Sequence, residues 1–115
     1  MDGQVIRIAA VAALLATAPL SVAAHQLVVF ASVDCEAVTV EAKFSNGRVV
    51  QQGEVRVLDG DNSLLTTLKL KDDGQVQVPL NSVDHSGGLV IEVDTGSHDN
   101  YWIVTPEDIA RKCGS

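Results

Sequence analysis

The stretch that decides the fold is AVTVEAKF, residues 37–44, followed at once by SNGR, residues 45–48. Apolar and polar residues alternate in the first segment, so that every second residue from Val38 to Phe44 faces the same way. This period of two predicts a β-strand with one buried face. Asn46-Gly47 tolerates positive φ and predicts a tight turn after the strand.

The same combination of a short apolar or alternating run and a polar turn recurs along the chain. The predicted strands are residues 26–33, 37–44, 54–59, 64–70, 75–80, 89–94 and 101–104. Seven short strands at this spacing predict an all-β fold, a seven-stranded antiparallel β-sandwich. After the last strand, Thr105-Pro106 followed by two acids predicts a short C-terminal helix or tail, residues 106–115.

The first 24 residues have the composition of a secretory signal peptide. Arg7 precedes an apolar run, residues 8–16, and small residues close the segment at Ala23-Ala24. Cleavage after Ala24 would leave one domain, the β-sandwich of residues 25–105 with its tail, exported to the periplasm. Cleavage one or two residues earlier is the alternative, and it would place His25 second or third in the mature chain.

Charge and motifs exclude several classes of function. The chain carries 15 acidic and 8 basic residues, a net charge of −7, which argues against nucleic-acid binding because phosphates need a basic patch. The sequence has no Gly-x-Ser-x-Gly elbow, phosphate loop, His-Glu-x-x-His or Cys-x-x-Cys. We therefore expect no enzymatic activity.

Counting strands predicts which loops share an end of the sandwich. If each connection reverses the chain, His25 and the turns at 45–48, 72–74 and 95–100 lie at one end, here called the near end. Cys35, Cys113 and the turns at 60–62 and 81–88 lie at the opposite, far end. The count favours a Cys35–Cys113 disulfide in an oxidising compartment, with two unpaired thiols as the alternative.

The near end also collects two of the three histidines. After cleavage at Ala24, His25 would carry a free amine beside its imidazole, a chelate suited to nickel, copper or zinc. The count places His98 at the same end and His85 about 20 Å away at the far end. His25 and His98 are therefore the candidate metal ligands. The alternative for His25 is a residue that follows the signal peptide by chance, and the alternative for His98 is a solvated loop histidine without a metal.

Several segments of the chain resemble the small periplasmic nickel transport proteins, accessory components of energy-coupling-factor-type uptake systems. The similar segments are AHQLVVFA (24–31), VTVEAKFSNGR (38–48), VRVLD (55–59), DDGQV (72–76), LVIEVD (89–94) and GSH (96–98). The resemblance implies an Ig-like or transthyretin-like sandwich that helps deliver nickel, or cobalt, to the membrane components of a permease. His25 and His98 match the histidine positions of that family.

Two other functions compete with this interpretation. The first keeps the metal but makes it copper, since copper(II) outcompetes nickel at most nitrogen sites. The second is a structural or interaction module with no metal. The chain ends at Ser115, so the resemblance implies non-covalent docking to the permease.

Overall fold

The computed structural model describes residues 25–113. The described chain forms seven β-strands, a short 3₁₀ helix and one α-helix. In chain order these are β1 (Leu27–Val33), β2 (Ala37–Phe44), β3 (Glu54–Asp59), β4 (Leu64–Lys69), β5 (Gln75–Pro79), the 3₁₀ helix (Leu80–Ser82), β6 (Leu89–Asp94), β7 (Asp99–Val104) and α1 (Pro106–Cys113). The predicted signal peptide, residues 1–24, lies outside the described residues.

The strands form two antiparallel sheets. The first has the order β1-β2-β5 and the second the order β4-β3-β6-β7. The prediction of a seven-stranded antiparallel sandwich is confirmed. Pro79 ends β5, which is an edge strand, and this fits a residue that has no backbone N–H to donate to a ladder.

The core lies between the two sheets and is aliphatic. The apolar face of β2 is buried as the sequence predicts. It belongs to one core with buried residues from each of the other strands except β4. Strand β4 contributes Leu65 and Leu68, which are partly buried against this core. Each fully buried Val or Ile side chain contributes about 1.5–3 kcal/mol relative to exposure. The side chains at or below 1% exposure are Val38, Val40, Ala42, Val55, Val57, Val78, Leu89, Ile91, Val93 and Val104.

The main departure from the predicted strands is at the start of β7. The sequence predicts Tyr101 as its first residue, because Asp99 and Asn100 are polar. In the structure β7 begins at Asp99, which pairs with Asp94 of β6. Backbone pairing with β6 extends β7 by two residues before its apolar segment, so the turn between β6 and β7 is shorter than predicted.

The residues that meet at each end of the sandwich are those that the strand count places there. At the far end, Cys35 and Cys113 form a disulfide, with 4.8 Å between their Cα atoms. The backbone of Gly60 also approaches that of Gly87 there; a Cβ at position 60 would lie 2.6 Å from the Gly87 carbonyl oxygen. At the near end, the ring of Phe44 meets that of His98.

Helix α1 begins with the capping residues that the sequence predicts. The backbone N–H of Asp108 donates to Thr105 Oγ1 (3.1 Å), and the backbone N–H of Thr105 donates to Asp108 Oδ2 (3.0 Å). This reciprocal pair is a capping box, and Pro106 takes the first helical position. Ile109 anchors the helix in the core. These contacts with Thr105 lower the pKa of the Asp108 carboxyl below its usual 3.8, and Arg111 adds a smaller effect.

Replacing Asp108 with alanine should lower the melting temperature at pH 7 and have much less effect near pH 2. Because the native pKa is depressed, the stabilisation by the carboxylate is complete above the unfolded value of 3.8 and is lost as pH falls through the native pKa. Circular dichroism melts between pH 2 and 7 test this, with Glu107→Ala as the control in the same helical turn. An equal shift at both pH values would contradict it.

Candidate metal site

The near end is built from three segments: residues 25–26 before β1, the turn after β2, and the β6–β7 turn. The first two segments are joined by hydrogen bonds that continue the β1–β2 ladder. The backbone N–H of Gln26 donates to Ser45 Oγ (3.1 Å), and the backbone N–H of Ser45 donates to the Gln26 carbonyl (2.8 Å). These bonds extend the ladder one pair beyond Leu27 and Phe44. His25 therefore leaves the sheet directly at the rim, beside the β2–β3 turn.

The third segment is the β6–β7 turn, which holds His98 by several bonds. Thr95 donates to the His98 carbonyl from its backbone N–H (2.9 Å) and from Oγ1 (3.2 Å), and the His98 N–H donates back to Thr95 Oγ1 (3.1 Å). Gly96 takes a φ of 95°, which favours glycine, and its N–H donates to Asp94 Oδ1 (2.7 Å). The turn thus fixes the backbone that carries the imidazole.

His25 and His98 line one open pocket of ≈ 670 Å³ at this rim. The His98 ring packs edge-on against Phe44, with 5.6 Å between ring centroids and 70° between planes. The Phe44 ring on one side restricts where the imidazole can move. The other lining residues are Asn46, Arg48, Val49 and Gln51.

A neighbouring hydroxyl can set the tautomer of His98. Ser97 Oγ lies 3.0 Å from His98 Nδ1. When Nδ1 carries the proton and donates to this oxygen, the lone pair of Nε2 is available to a metal ion. A ligating histidine commonly donates its other N–H in this way, which orients the ring and raises its basicity.

The side chains alone do not complete a metal site. Within residues 25–113, no three His, Cys, Asp or Glu side chains converge closely enough to hold an ion. Two imidazoles are the side-chain donors at the shared pocket. A third nitrogen, the α-amine of His25, exists only after the bond to Ala24 is cut, so this set of three nitrogens exists only in a chain that starts at His25.

Charges of both signs surround the pocket. Asp94 and Asp99 line an adjoining pocket that shares His98, and their negative charge favours a cation nearby. Arg48 lines the histidine pocket itself and opposes this effect. Neither Arg48 nor Gln51 is predicted for the site from the sequence. The strand count places the turn that contains Arg48 at the near end, so Arg48 could have been predicted as a neighbour of the site.

Two other places with possible metal-binding side chains, His85 and the acidic turn at 72–74, make ordinary structural contacts. His85 is at the far end, where its Nδ1 lies 3.1 Å from the Leu80 carbonyl and 3.2 Å from that of Val83. Its role is therefore to hold the loop after β5. In the acidic turn at 72–74, Asp73 Oδ1 accepts the N–H of Gln75 (3.0 Å), as in an ordinary Asx turn.

Comparison with known protein families, curated proteins and solved structures finds no match to this chain. The resemblance to the nickel transport proteins therefore stays a prediction from the sequence. Among residues 25–113, no helix has the length and apolar character needed to span a bilayer.

Proposed function

We propose that this chain is a periplasmic, metal-binding accessory protein that helps deliver nickel, or cobalt, to a membrane uptake permease and has no catalytic activity. The signal-like segment 1–24 and the Cys35–Cys113 disulfide support export, because disulfides persist in oxidising compartments. The proposed ligands are the α-amine and imidazole of His25 and the imidazole of His98.

The observation that carries this proposal is the pocket shared by His25 and His98. The two residues are 73 positions apart in the sequence. They come together because the ladder between β1 and β2 and the β6–β7 hairpin both end at the near end. Nothing in the core requires a histidine at either position, since both side chains lie at the rim. Such a pair of imidazoles at one open pocket suits capture and release of an ion.

Nickel is proposed because of the sequence resemblance, and the donor chemistry fits it. Three nitrogens from an amine and two imidazoles suit nickel(II), cobalt(II) and copper(II). Copper(II) would bind the same set more tightly, by the general order of divalent affinities. The copper alternative therefore differs in the metal that the cell supplies, and not in the ligands.

The strand order supports an immunoglobulin-like version of the sandwich. In immunoglobulin domains strand B lies beside E, and strand F lies between C and G. Here β2 lies beside β5, and β6 lies between β3 and β7. We infer that the sandwich is Ig-like, and that its loops cluster at the two ends in the same manner.

Replacing His98 with alanine should weaken nickel binding at least about tenfold, because a ligand is worth no less than the outer-shell partners that cost 10- to 100-fold. The measurement is calorimetric titration of Ni²⁺ into protein that starts at His25. His85→Ala is the matched control, since it removes the far-end imidazole. Equal affinity for His98→Ala and His85→Ala would exclude His98 as a ligand.

The absence of a three-side-chain cluster in residues 25–113 favours one rival function, an interaction module with no metal. A mature chain that starts elsewhere than at His25 would have no α-amine of His25 as a donor at the near end. Mass spectrometry of the exported protein separates the two functions. A mature chain that begins at residue 25 supports the metal site, and one that begins well upstream or downstream supports the module.

A further inference from the structure

Three of the four aromatic residues of this protein lie at the surface, and the fourth, Phe44, is partly buried against the core. The buried core of residues 25–113 consists of Val, Leu, Ile and Ala. The chain has four aromatic residues, and three of them lie on the two neighbouring edge strands β1 and β7. Aromatic side chains are enriched where proteins recognise one another and are among their main energetic contacts. Their placement here points to recognition at this edge.

The exposed apolar side chains around the Phe30–Trp102 contact form what we call the β1–β7 ridge: Val28, Phe30 and Trp102. Their exposed fractions range from 38% for Trp102 to 47% for Phe30. Tyr101 and Ile103 are also exposed, but they lie on the opposite face of β7 from Trp102. The two strands are tied at one end, where Asn100 Nδ2 donates to the Leu27 carbonyl (2.9 Å). Farther along, Phe30 and Trp102 pack edge-on, with 5.0 Å between ring centroids.

A groove of ≈ 320 Å³ continues from this aromatic pair to helix α1. Its apolar part is formed by Phe30, Val33, Trp102 and Val104. Helix α1 supplies Asp108, Arg111 and Lys112 at the other side. Arg111 is ion-paired with Asp108, whereas Lys112 forms no ion pair within residues 25–113. Within the described part of the chain, the groove therefore combines an apolar floor with the cation of Lys112.

We propose that the β1–β7 ridge and this groove dock a segment of a partner protein that presents a bulky apolar side chain next to a carboxylate. The apolar side chain fills the groove beside Phe30 and Trp102, and the carboxylate pairs with Lys112. A pocket with an apolar lining and one placed charge selects for this combination. The inference goes beyond the proposed function, since it holds with or without a metal at the near end.

The size of the ridge disfavours a second copy of this chain as the occupant. Three side chains with less than half of their surface exposed present on the order of 250 Å², judged from aromatic areas of 150–250 Å². A stable interface needs about 800 Å² per partner. A membrane surface is disfavoured by charge, because the chain carries −7 and anionic headgroups would repel it.

The test uses an array of immobilised, acetylated hexapeptides in which one position is Phe, Leu or Ser and its neighbour is Glu, Gly or Lys. Peptides with Phe or Leu beside Glu should be retained. Their affinities are then measured in solution by the fluorescence of Trp102, the only tryptophan of the chain. A blue shift on binding is expected, because the ring loses water.

Variants locate the binding. Phe30→Ser should weaken binding at least about tenfold, and Lys112→Glu should cost about fivefold for peptides with Glu while favouring those with Lys. Leu64→Ser is the matched control, because Leu64 is exposed on β4 at the opposite edge. His25→Ala should bind the peptides normally, which separates this proposal from the metal site.

Several results would overturn the proposal. One is an array that shows no preference for an apolar residue beside Glu; another is a preference that Phe30→Ser and Lys112→Glu leave unchanged in variants that melt like the parent. A dimer in sedimentation that Phe30→Ser dissociates would assign the ridge to a second copy. Binding to vesicles of phosphatidylglycerol and phosphatidylcholine that Phe30→Ser abolishes would assign it to a membrane.

Discussion

Replacing His25 with alanine is expected to weaken Ni²⁺ binding at least about 100-fold in protein that starts at residue 25, since outer-shell partners alone cost up to that factor. The substitution leaves the α-amine in place but removes the imidazole that closes a chelate ring with it. His98 would then have only a monodentate amine as partner. Calorimetric titration of the parent and the variant with NiCl₂ gives the ratio of affinities directly.

Two controls make the His25 result specific. His85→Ala removes an imidazole from the far end, where Leu80 and Val83 hold it, and should bind nickel like the parent. A chain that retains Ala24, with its amine one residue upstream, should also bind differently from the chain that starts at His25. Unchanged affinity in His25→Ala with a verified N-terminus would remove His25 from the site.

The second large effect is expected from the disulfide. Replacing both Cys35 and Cys113 with serine should lower the free energy of unfolding by about 2–4 kcal/mol, because the bond restricts a long loop in the unfolded chain. The two residues are 78 positions apart, so the closed loop spans all the strands after β1. For a domain of this size the melting temperature should fall by about 10–20 °C.

Thermal unfolding followed by circular dichroism measures this effect. Parent protein treated with reductant is the matched comparison, and it should melt close to the double serine variant. Single variants such as Cys35→Ser should melt like the double variant, since either one breaks the same bond. If the double variant melts within 2 °C of the oxidised parent, the disulfide does not stabilise the fold.

Much of the fold follows from local pattern. The alternation around Val38 and Val40 predicts which side of β2 is buried, because neighbouring residues of a strand face opposite sides. The sequence at Thr105-Pro106 predicts the start of α1, because the cap and the proline satisfy the first helical turn. The strand count placed Cys35 with Cys113, because antiparallel strands alternate in direction.

The order of the strands within each sheet could not be predicted in this way. The alternation in β2 predicts which face of the strand is buried, but it does not predict which strands lie beside β2. The pairing of Val38 with Val78 is therefore seen only in the three-dimensional structure. The early start of β7 was missed because Asp99 and Asn100 are polar. They join the strand through backbone hydrogen bonds to β6, which cannot be predicted from the polarity of their side chains.

The candidate site was predicted in its location and not in its surroundings. Counting strands placed His25 and His98 at one end, and both line one pocket there. The presence of Arg48 and Gln51 in that pocket depends on how the chain crosses from one sheet to the other after β2. The contact between Phe30 and Trp102 was also missed, because a period of two marks Phe30 as outward-facing and does not identify its neighbour on another strand.

The central claim is that His25 and His98 together hold one metal ion. The chain has three histidines, so each imidazole can be followed by NMR while paramagnetic Ni²⁺ is added below one equivalent to protein that starts at residue 25. We predict that the resonances of His25 and His98 broaden together while those of His85 stay sharp. Broadening of His85 to the same extent, or sharp His25 and His98 resonances at one equivalent of Ni²⁺, would contradict the claim.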